Sequence, residues 1–150
     1  MKRILVLTGT AGYAMLEKSV LALAEKCSEY SFLLQTVNEL EVNSPRVEHA
    51  TFLNMNALDL TAFDAVIGHC GAGTVFWALE AKIRLLAMVN LERKDNHQTD
   101  LGNWLLKHNH ALVIFNRPLE ESDLAQLCSQ QFTPYVKEHF VFDNIYHHLN

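Results

Sequence analysis

Short apolar segments alternate with amphipathic segments along the chain, and this alternation predicts its secondary structure. Residues 4–7 (Ile-Leu-Val-Leu) are uniformly apolar and precede a glycine-containing stretch, which is typical of a strand buried on both faces. In residues 13–25 the apolar positions recur at helical spacing, with Glu17, Lys18 and Glu25 on the remaining face. The chain is therefore predicted to begin with a buried strand and a covering helix whose polar face carries these three charged residues.

The same two patterns alternate through the rest of the chain. Further strands are predicted at residues 32–34, 47–52, 63–67, 85–89 and 111–115. Helical segments are predicted at residues 57–61, 74–82, 101–106 and 119–127, the last opened by Pro118, and at 135–149. Alternation of this kind predicts an α/β protein, with parallel strands joined by right-handed crossovers. Ligands bind such sheets where loops leave the carboxyl ends of strands, which singles out residues 8–12 and 68–74.

Composition and charge exclude several classes of protein. The chain has 150 residues, 49% of them hydrophobic, which fits one globular domain spanning residues 1–150. Its net charge is −5 and its longest basic run is Lys2-Arg3, so we expect no nucleic-acid partner. No apolar run is long enough for a membrane span, and the amino-terminal run is too short for a signal peptide. A cytoplasmic domain is therefore expected.

The cysteines give no sign of a disulfide framework or a metal site. Cys27, Cys70 and Cys128 are odd in number, lie far apart and show no CxxC spacing. The histidines do not join carboxylates in metal-ligand spacing either. Cys70 lies within the segment 68–74, where a small buried residue is the commoner role for cysteine than a reactive thiol. We therefore expect no metal, and a reducing compartment.

The segment 68–74 (Gly-His-Cys-Gly-Ala-Gly-Thr) has the character of an anion-binding loop. Its small residues allow close approach of the backbone to a ligand, and the amides at the start of the next helix are donors for an anion. His69 and the Thr74 hydroxyl add two side-chain donors. The loop has neither the Lys-Ser or Lys-Thr pair of a P-loop nor the GxGxxG spacing of a dinucleotide fold. A phosphate site is one interpretation; a tight turn beside a core histidine is the other.

A family resemblance favours the phosphate site. Residues 64–74 (Asp-Ala-Val-Ile-Gly-His-Cys-Gly-Ala-Gly-Thr), residues 85–90 and residues 95–98 (Asp-Asn-His-Gln) together resemble the donor-binding half of family-28 glycosyltransferases. The resemblance covers residues 63–102 without a gap, and residues 4–12 resemble the family's first strand and Gly-Thr loop. It is strongest to small single-domain members, namely the catalytic subunit of the dolichol-linked N-acetylglucosaminyltransferase and the small subunits of two-part bacterial exopolysaccharide glycosyltransferases. The implied fold is a Rossmann-like parallel sheet flanked by helices, equivalent to the C-terminal half of a GT-B glycosyltransferase.

The resemblance also implies an activity and its partners. Family members use a nucleotide sugar, here a UDP-sugar, as donor substrate without a metal or other cofactor. The implied reaction transfers a hexose or N-acetylhexosamine to a glycan acceptor carried on a polyprenyl diphosphate. A membrane-associated partner subunit would supply the acceptor side of the cleft, so the chain would act in a heteromer at the inner face of the membrane. A non-catalytic nucleotide-binding or scaffold paralogue with a degenerate donor site is the alternative.

Matching the family's motif assigns the donor site residue by residue. The assigned positions are Gly9, Thr10, His69, Gly71, Ala72, Gly73, Thr74, Asn96, His97 and Gln98. The glycine loop with His69 and Thr74 would hold the diphosphate, while His97 and Gln98 would contact the donor sugar. Residues 95–96 are also suited to cap the following helix. The resemblance assigns no catalytic base to this chain, and a base from the partner domain is expected.

Three positions depart from the family's pattern. Trp77 stands where a glutamate commonly binds the ribose hydroxyls, Lys82 replaces a glycine, and Arg84 replaces a proline. Glu80, three residues after Trp77 on a neighbouring helix face, is the candidate for the ribose contact, and Trp77 for stacking on a ring. Core packing is the alternative role for both residues.

Overall fold

The computed structural model describes residues 1–92 and 96–137, which form six strands and four α-helices. The strands are β1 (Lys2–Leu7), β2 (Tyr30–Gln35), β3 (Val47–Ala50), β4 (Ala65–His69), β5 (Leu85–Met88) and β6 (Leu112–Ile114). The helices are α1 (Ala14–Lys26), α2 (Ala72–Glu80), α3 (His97–Lys107) and α4 (Glu121–Ser129). None of the helices in the described part is long and apolar enough to cross a membrane.

All strand pairs are parallel, and the strands lie in the order β3-β2-β1-β4-β5-β6. The chain therefore starts at the centre of the sheet, builds one side as far as β3 and then returns to build the other side from β4. Helices α1 and α4 pack on one face of the sheet, and α2 and α3 on the other. The predicted α/β fold with a parallel sheet is confirmed.

Strand β1 shows why residues 4–7 are uniformly apolar. Ile4 and Val6 face the core beneath α1 and α4, whereas Leu5 and Leu7 face the core beneath α2 and α3. Each of the four is at most 3% exposed. Alternate residues of a strand point to opposite faces, so a strand covered on both sides needs apolar residues at every position.

Several predicted boundaries differ from those observed. The strand predicted at residues 47–52 ends at Ala50, and the one predicted at 63–67 runs from 65 to 69. The helical turn predicted at residues 57–61 is two single turns of 3-10 helix, Met55–Ala57 and Leu60–Ala62. Of the helix predicted at residues 135–149, residues 135–137 have no regular structure, and the remainder lies outside the described residues.

The prediction that Pro118 opens the last helix is wrong, because α4 begins three residues later. The backbone amide of Leu119 instead donates to Ser19 Oγ of α1 at 3.1 Å. The start of α4 is fixed by Asp123, whose Oδ2 accepts from the backbone amide of Glu120 at 2.8 Å. These two bonds make residues 118–120 a connection attached to α1 rather than a first helical turn.

The prediction that Glu17 lies on the polar face of α1 is also wrong. Glu17 is only 2% exposed, and its carboxylate accepts hydrogen bonds from the Tyr13 backbone amide at 2.8 Å and from Asn38 Nδ2 at 2.9 Å. Gly12, with a φ of 74°, turns the chain just before this point. A carboxylate tolerates burial when donors satisfy its oxygens, so the local bonds account for its position.

Candidate functional site

The loops that follow β1 and β4 meet at the centre of the sheet, on its carboxyl edge. β1 and β4 are neighbours, and the strand order reverses between them, because β2 and β3 lie on one side and β5 and β6 on the other. A reversal of this kind opens a crevice between the two loops, which is the usual ligand site of a doubly wound sheet. The two loops singled out from the sequence, residues 8–12 and 68–74, flank this crevice.

His69 ends β4 between two glycines. A Cβ atom at Gly9 would lie 2.7 Å from His69 Nε2, and one at Gly71 would also overlap the ring. Gly9 has in addition a φ of 80°, a conformation that favours glycine. The loops after β1 and β4 therefore pack their backbones against the imidazole, and any larger residue at either position would displace it.

Polar side chains face both nitrogens of His69. Nε2 lies 3.2 Å from the Thr74 hydroxyl oxygen, in the first turn of α2. Nδ1 lies 3.4 Å from Nε2 of Gln98, in the first turn of α3. The imidazole is thus oriented by two helix starts as well as by the two glycines, and its Nε2 side faces the start of α2.

The start of α2 has the features of an anion site. Gly71 is its N-cap residue and, having no side chain, offers no capping group. Ala72 and Gly73 are exposed, and a Cβ atom at Gly73 would meet nothing within 4 Å. The first amides of an α-helix have no partner within the helix and lie at the positive end of its dipole. A diphosphate approaching this turn would meet donors and open space.

The start of α3 lies at the same edge of the sheet. Asn96 and His97 are exposed, whereas Gln98 is only 6% exposed and its Oε1 accepts from the Asn90 backbone amide at 2.9 Å. Asn96 occupies the N-cap position, but its side chain makes no capping hydrogen bond. Asp95, the other expected cap, lies outside the described residues. The structure thus brings Gln98 to His69 and leaves Asn96 and His97 at the surface nearby.

Sequence reasoning missed the side chains that hold the loop after β1. The Thr8 hydroxyl donates to the Gln35 carbonyl at 3.0 Å, and Gln35 Nε2 donates to the Gly9 carbonyl at 3.4 Å. Thr10, in contrast, is exposed. Their positions in the sequence could have identified Thr8 and Gln35 as candidates. Each is a polar residue at the end of one of the first two strands, and these ends lie at the ligand-binding edge of a parallel sheet.

The two departures on α2 lie farther along the helix. Trp77 is half-buried and packs against the core beneath α2 and α3. Glu80 is the last residue of α2, and its Oε1 lies 3.2 Å from Lys137 Nζ. At 1.5 Å per residue, the helix separates Glu80 from its first residue, Ala72, by roughly 12 Å. The structure therefore places Glu80 away from His69 and provides Trp77 with a packing role.

The structure also accounts for the other two departures and for the cysteine. Lys82, two residues after the end of α2, adopts a φ of 57°, a conformation for which glycine is suited. The Arg84 guanidinium donates to the carbonyls of Leu127 and Gln130. Cys70 is 1% exposed, and burial raises the pKa of its thiol to about 12, as expected for a small core residue. No group of three or more metal-ligating side chains occurs within residues 1–92 and 96–137.

Comparison with known proteins identifies the family. Residues 3–135 match the model of the glycosyltransferase family 28 C-terminal domain. No curated protein matches the sequence significantly. Among solved structures, the glycosyltransferase SnogD from Streptomyces nogalater superposes with a TM-score of 0.65 at 21% identity, over 85% of this chain and 35% of its own. The glycosyltransferase VinC, solved in complex with dTDP, gives a TM-score of 0.62 at 16% identity, over 87% of this chain and 34% of its own.

A third similar structure differs in length. ALG13 superposes with a TM-score of 0.58 at 16% identity, over 96% of this chain and 94% of its own. The chain thus spans about a third of SnogD and VinC but nearly all of ALG13. These likenesses show a common fold, that of the C-terminal half of a GT-B glycosyltransferase, and confirm the resemblance seen in the sequence. Because the family model matches residues 3–135, the chain belongs to the glycosyltransferase family 28 C-terminal domains.

Proposed function

We propose that this chain binds the nucleotide-sugar donor of a two-part glycosyltransferase. The donor is a UDP-sugar, from which a hexose or N-acetylhexosamine is transferred to a polyprenyl-diphosphate-linked glycan. One observation carries the proposal: His69, fixed between Gly9 and Gly71, stands beside the open first turn of α2. That arrangement is suited to a diphosphate, and the family to which the chain belongs supports a glycosyl donor.

The geometry suggests how the chain assists departure of the nucleotide diphosphate. Negative charge develops on this group as the bond to the sugar breaks, and donors fixed in advance stabilise that charge. The amides of the first turn of α2, the Thr74 hydroxyl and the His69 ring are such donors, and the helix dipole adds to their effect. Metal-free charge stabilisation of this kind agrees with the proposal that no metal is required.

The donor sugar would lie towards α3. Asn96 and His97 are exposed at its start, on the same edge of the sheet as the glycine loop. Amide and imidazole groups are suited to hydrogen-bond sugar hydroxyls. Gly9 and Thr10 would line the opposite side of the crevice, after β1. The proposed donor site thus extends from the loop after β1, across α2, to the start of α3.

The acceptor side of the cleft would come from a membrane-associated partner subunit. The chain matches about a third of SnogD and VinC but 94% of ALG13, and we take the matched domain to act together with a second one. Val37, Phe52 and Leu91, which follow β2, β3 and β5 respectively, are 46%, 81% and 51% exposed. Exposed apolar side chains after three strands, at the carboxyl edge of the sheet, support an interface there. The base that activates the acceptor would belong to the partner. The partner's association with the membrane would hold the chain at the cytoplasmic face.

Trp77 favours a second candidate function. It stands where the family commonly has a ribose-binding glutamate, and it packs against the core instead. If use of the donor depends on that carboxylate, the chain is a non-catalytic nucleotide-binding or scaffold subunit. Affinity for the nucleotide separates the two functions, because a scaffold with a degenerate site has no need to bind the donor.

Calorimetric titration without metal tests the proposal. The purified chain, alone and with its partner, is titrated with UDP, UDP-N-acetylglucosamine and UDP-glucuronate, and with dTDP for comparison of the base. Saturable UDP binding that is weakened by His69→Ala supports a donor subunit. Binding that requires the partner indicates a site completed by assembly. An absence of binding under both conditions would contradict the proposal and favour the scaffold. Gln126→Ala, at an exposed position on α4, is the control.

A further inference from the structure

The orientation of the Gln98 side chain is determined by the backbone. The Asn90 backbone amide, at the end of β5, donates to one end of the Gln98 carboxamide at 2.9 Å, and that end must therefore be the oxygen. The other end, Nε2, can only donate, and it lies 3.4 Å from His69 Nδ1. At 6% exposure, the Gln98 side chain is largely removed from solvent.

This orientation constrains the proton on His69. A donor facing Nδ1 requires a lone pair on that nitrogen, and a neutral imidazole with a bare Nδ1 carries its hydrogen on Nε2. Nε2 faces the Thr74 hydroxyl at 3.2 Å, and a hydroxyl can rotate to accept this hydrogen. The hydrogen therefore points towards the first turn of α2, where the diphosphate is proposed to bind.

We propose that Gln98 is a positioning residue that fixes the Nε2-protonated tautomer of His69. In this tautomer the ring can donate to a diphosphate oxygen without carrying a positive charge. The inference rests on the proposed function for the identity of the ligand, but the tautomer itself is a property of the free protein. It also gives Gln98 a role that acts through His69 on the diphosphate, distinct from contact with the donor sugar.

Nitrogen NMR of the free protein tests the tautomer directly. Long-range ¹H–¹⁵N correlation, with the ring assigned by comparison with His69→Gln, is expected to show a protonated Nε2 and a bare Nδ1. In Gln98→Glu the carboxylate still accepts from Asn90 but can only accept from the ring, so the hydrogen is expected to move to Nδ1. Gln126→Glu makes the same chemical change at an exposed site on α4 and should leave the His69 signals unaltered. A protonated Nδ1 in the unsubstituted protein would overturn the proposal without any variant.

Binding of UDP, which lacks the sugar, distinguishes the two roles of Gln98. If Gln98 acts through His69, Gln98→Glu should weaken UDP and UDP-N-acetylglucosamine by the same factor, about tenfold for one lost hydrogen bond to a charged group. In a His69→Ala background the same substitution should weaken UDP binding much less, because no imidazole remains for residue 98 to orient. The two single variants and the double variant together form a double-mutant cycle that measures the coupling of the two residues. Loss of affinity for the UDP-sugar alone would overturn the positioning role. Failure of the unsubstituted protein to bind UDP would contradict the proposed function but leave the NMR result intact.

Discussion

The Tyr13 hydroxyl donates a hydrogen bond of 2.9 Å to the Val89 carbonyl, and this bond joins the loop after β1 to the end of β5. Tyr13 is 3% exposed, so the bond is shielded from water. Burial, with a further contribution from the Glu92 carboxylate, raises the pKa of Tyr13, and the hydroxyl remains a donor at neutral pH. Because β4 lies between β1 and β5, the bond spans the strand that carries His69.

Removal of this hydroxyl should therefore destabilise the protein. We expect Tyr13→Phe to lower the free energy of unfolding by about 1–2 kcal/mol, because the buried Val89 carbonyl loses its donor. Urea denaturation measures the effect. Tyr135→Phe is the matched control, since the Tyr135 hydroxyl is buried and has no hydrogen-bond partner in the part of the chain that the structure describes. The control should be at least as stable as the unsubstituted protein. Equal losses of unfolding free energy in both variants would show that the Tyr13–Val89 hydrogen bond is not the cause.

The backbone at Lys82 predicts a stabilising substitution. Its φ of 57° places a side-chain-bearing residue in the left-handed conformation, which costs roughly 1–2 kcal/mol. Lys82→Gly should relieve most of this cost and raise the free energy of unfolding by about 1 kcal/mol, after the extra flexibility of glycine in the unfolded chain is subtracted. Thermal and urea denaturation report the change.

A glycine at the preceding position is the control for this effect. Ala81 has a φ of −75°, an ordinary helical value, so Ala81→Gly should destabilise the protein by about 0.5–1 kcal/mol. A destabilised Lys82→Gly variant would show that contacts of the lysine side chain outweigh the backbone strain.

The sequence predicted the centre of the fold because the signals there are local. Uniformly apolar runs such as residues 4–7 and 85–89 identify strands buried on both faces, since every position must pack. A parallel sheet then brings the carboxyl ends of those strands to one edge. These two facts place the loop 68–74 at the same edge as the loop after β1. That the two loops are neighbours depends on the pairing of β4 with β1, which the structure shows.

The hydrogen-bonded pairs that shape the site could not be predicted, because each joins distant elements. Glu17 has the helical position of a surface residue, and nothing in α1 reveals that Asn38, 21 residues away, will meet its carboxylate. The family resemblance assigns Gln98 to a contact with the donor sugar, whereas its bond to the Asn90 amide depends on how α3 packs against the end of β5. A polar residue in a sequence does not show whether its partner is solvent, ligand or another strand.

Gly73 offers a variant that separates ligand binding from stability. A side chain there projects into open space, and an aspartate in the first turn of a helix is favoured by the dipole. Gly73→Asp should therefore fold as well as the unsubstituted protein, yet weaken UDP binding by more than tenfold, because a carboxylate would occupy the place of the diphosphate. Calorimetry and thermal denaturation on the same sample measure both effects.

Two other variants act as controls for Gly73→Asp. Ser122→Asp places the same charge at the second residue of α4, where it should leave UDP affinity unchanged. Gly71→Ala should lower stability by about 1–3 kcal/mol, because its methyl group would overlap the His69 ring. If Gly73→Asp bound UDP normally, the anion site would have to be placed elsewhere.

The ion pair between Arg117 and Asp123 predicts how stability depends on pH. Both guanidinium Nη atoms donate to the carboxylate at 2.7 Å, and these bonds, with a further one from the Glu120 amide, hold the pKa of Asp123 below its usual value. A group whose pKa is lowered by folding stabilises the protein above its unfolded pKa, near 3.9, and this contribution disappears as the pH falls through the folded value. Asp123→Asn should therefore lower the free energy of unfolding by about 1 kcal/mol at pH 7, a modest amount because Arg117 is 47% exposed. It should also make the stability fall less steeply below about pH 4.

Urea denaturation between pH 7 and pH 3 measures both effects. Glu48→Gln, which breaks the exposed 3.5 Å pair with Arg3, should change neither, and an equal response from the two variants would show that the buried geometry of Asp123 adds nothing.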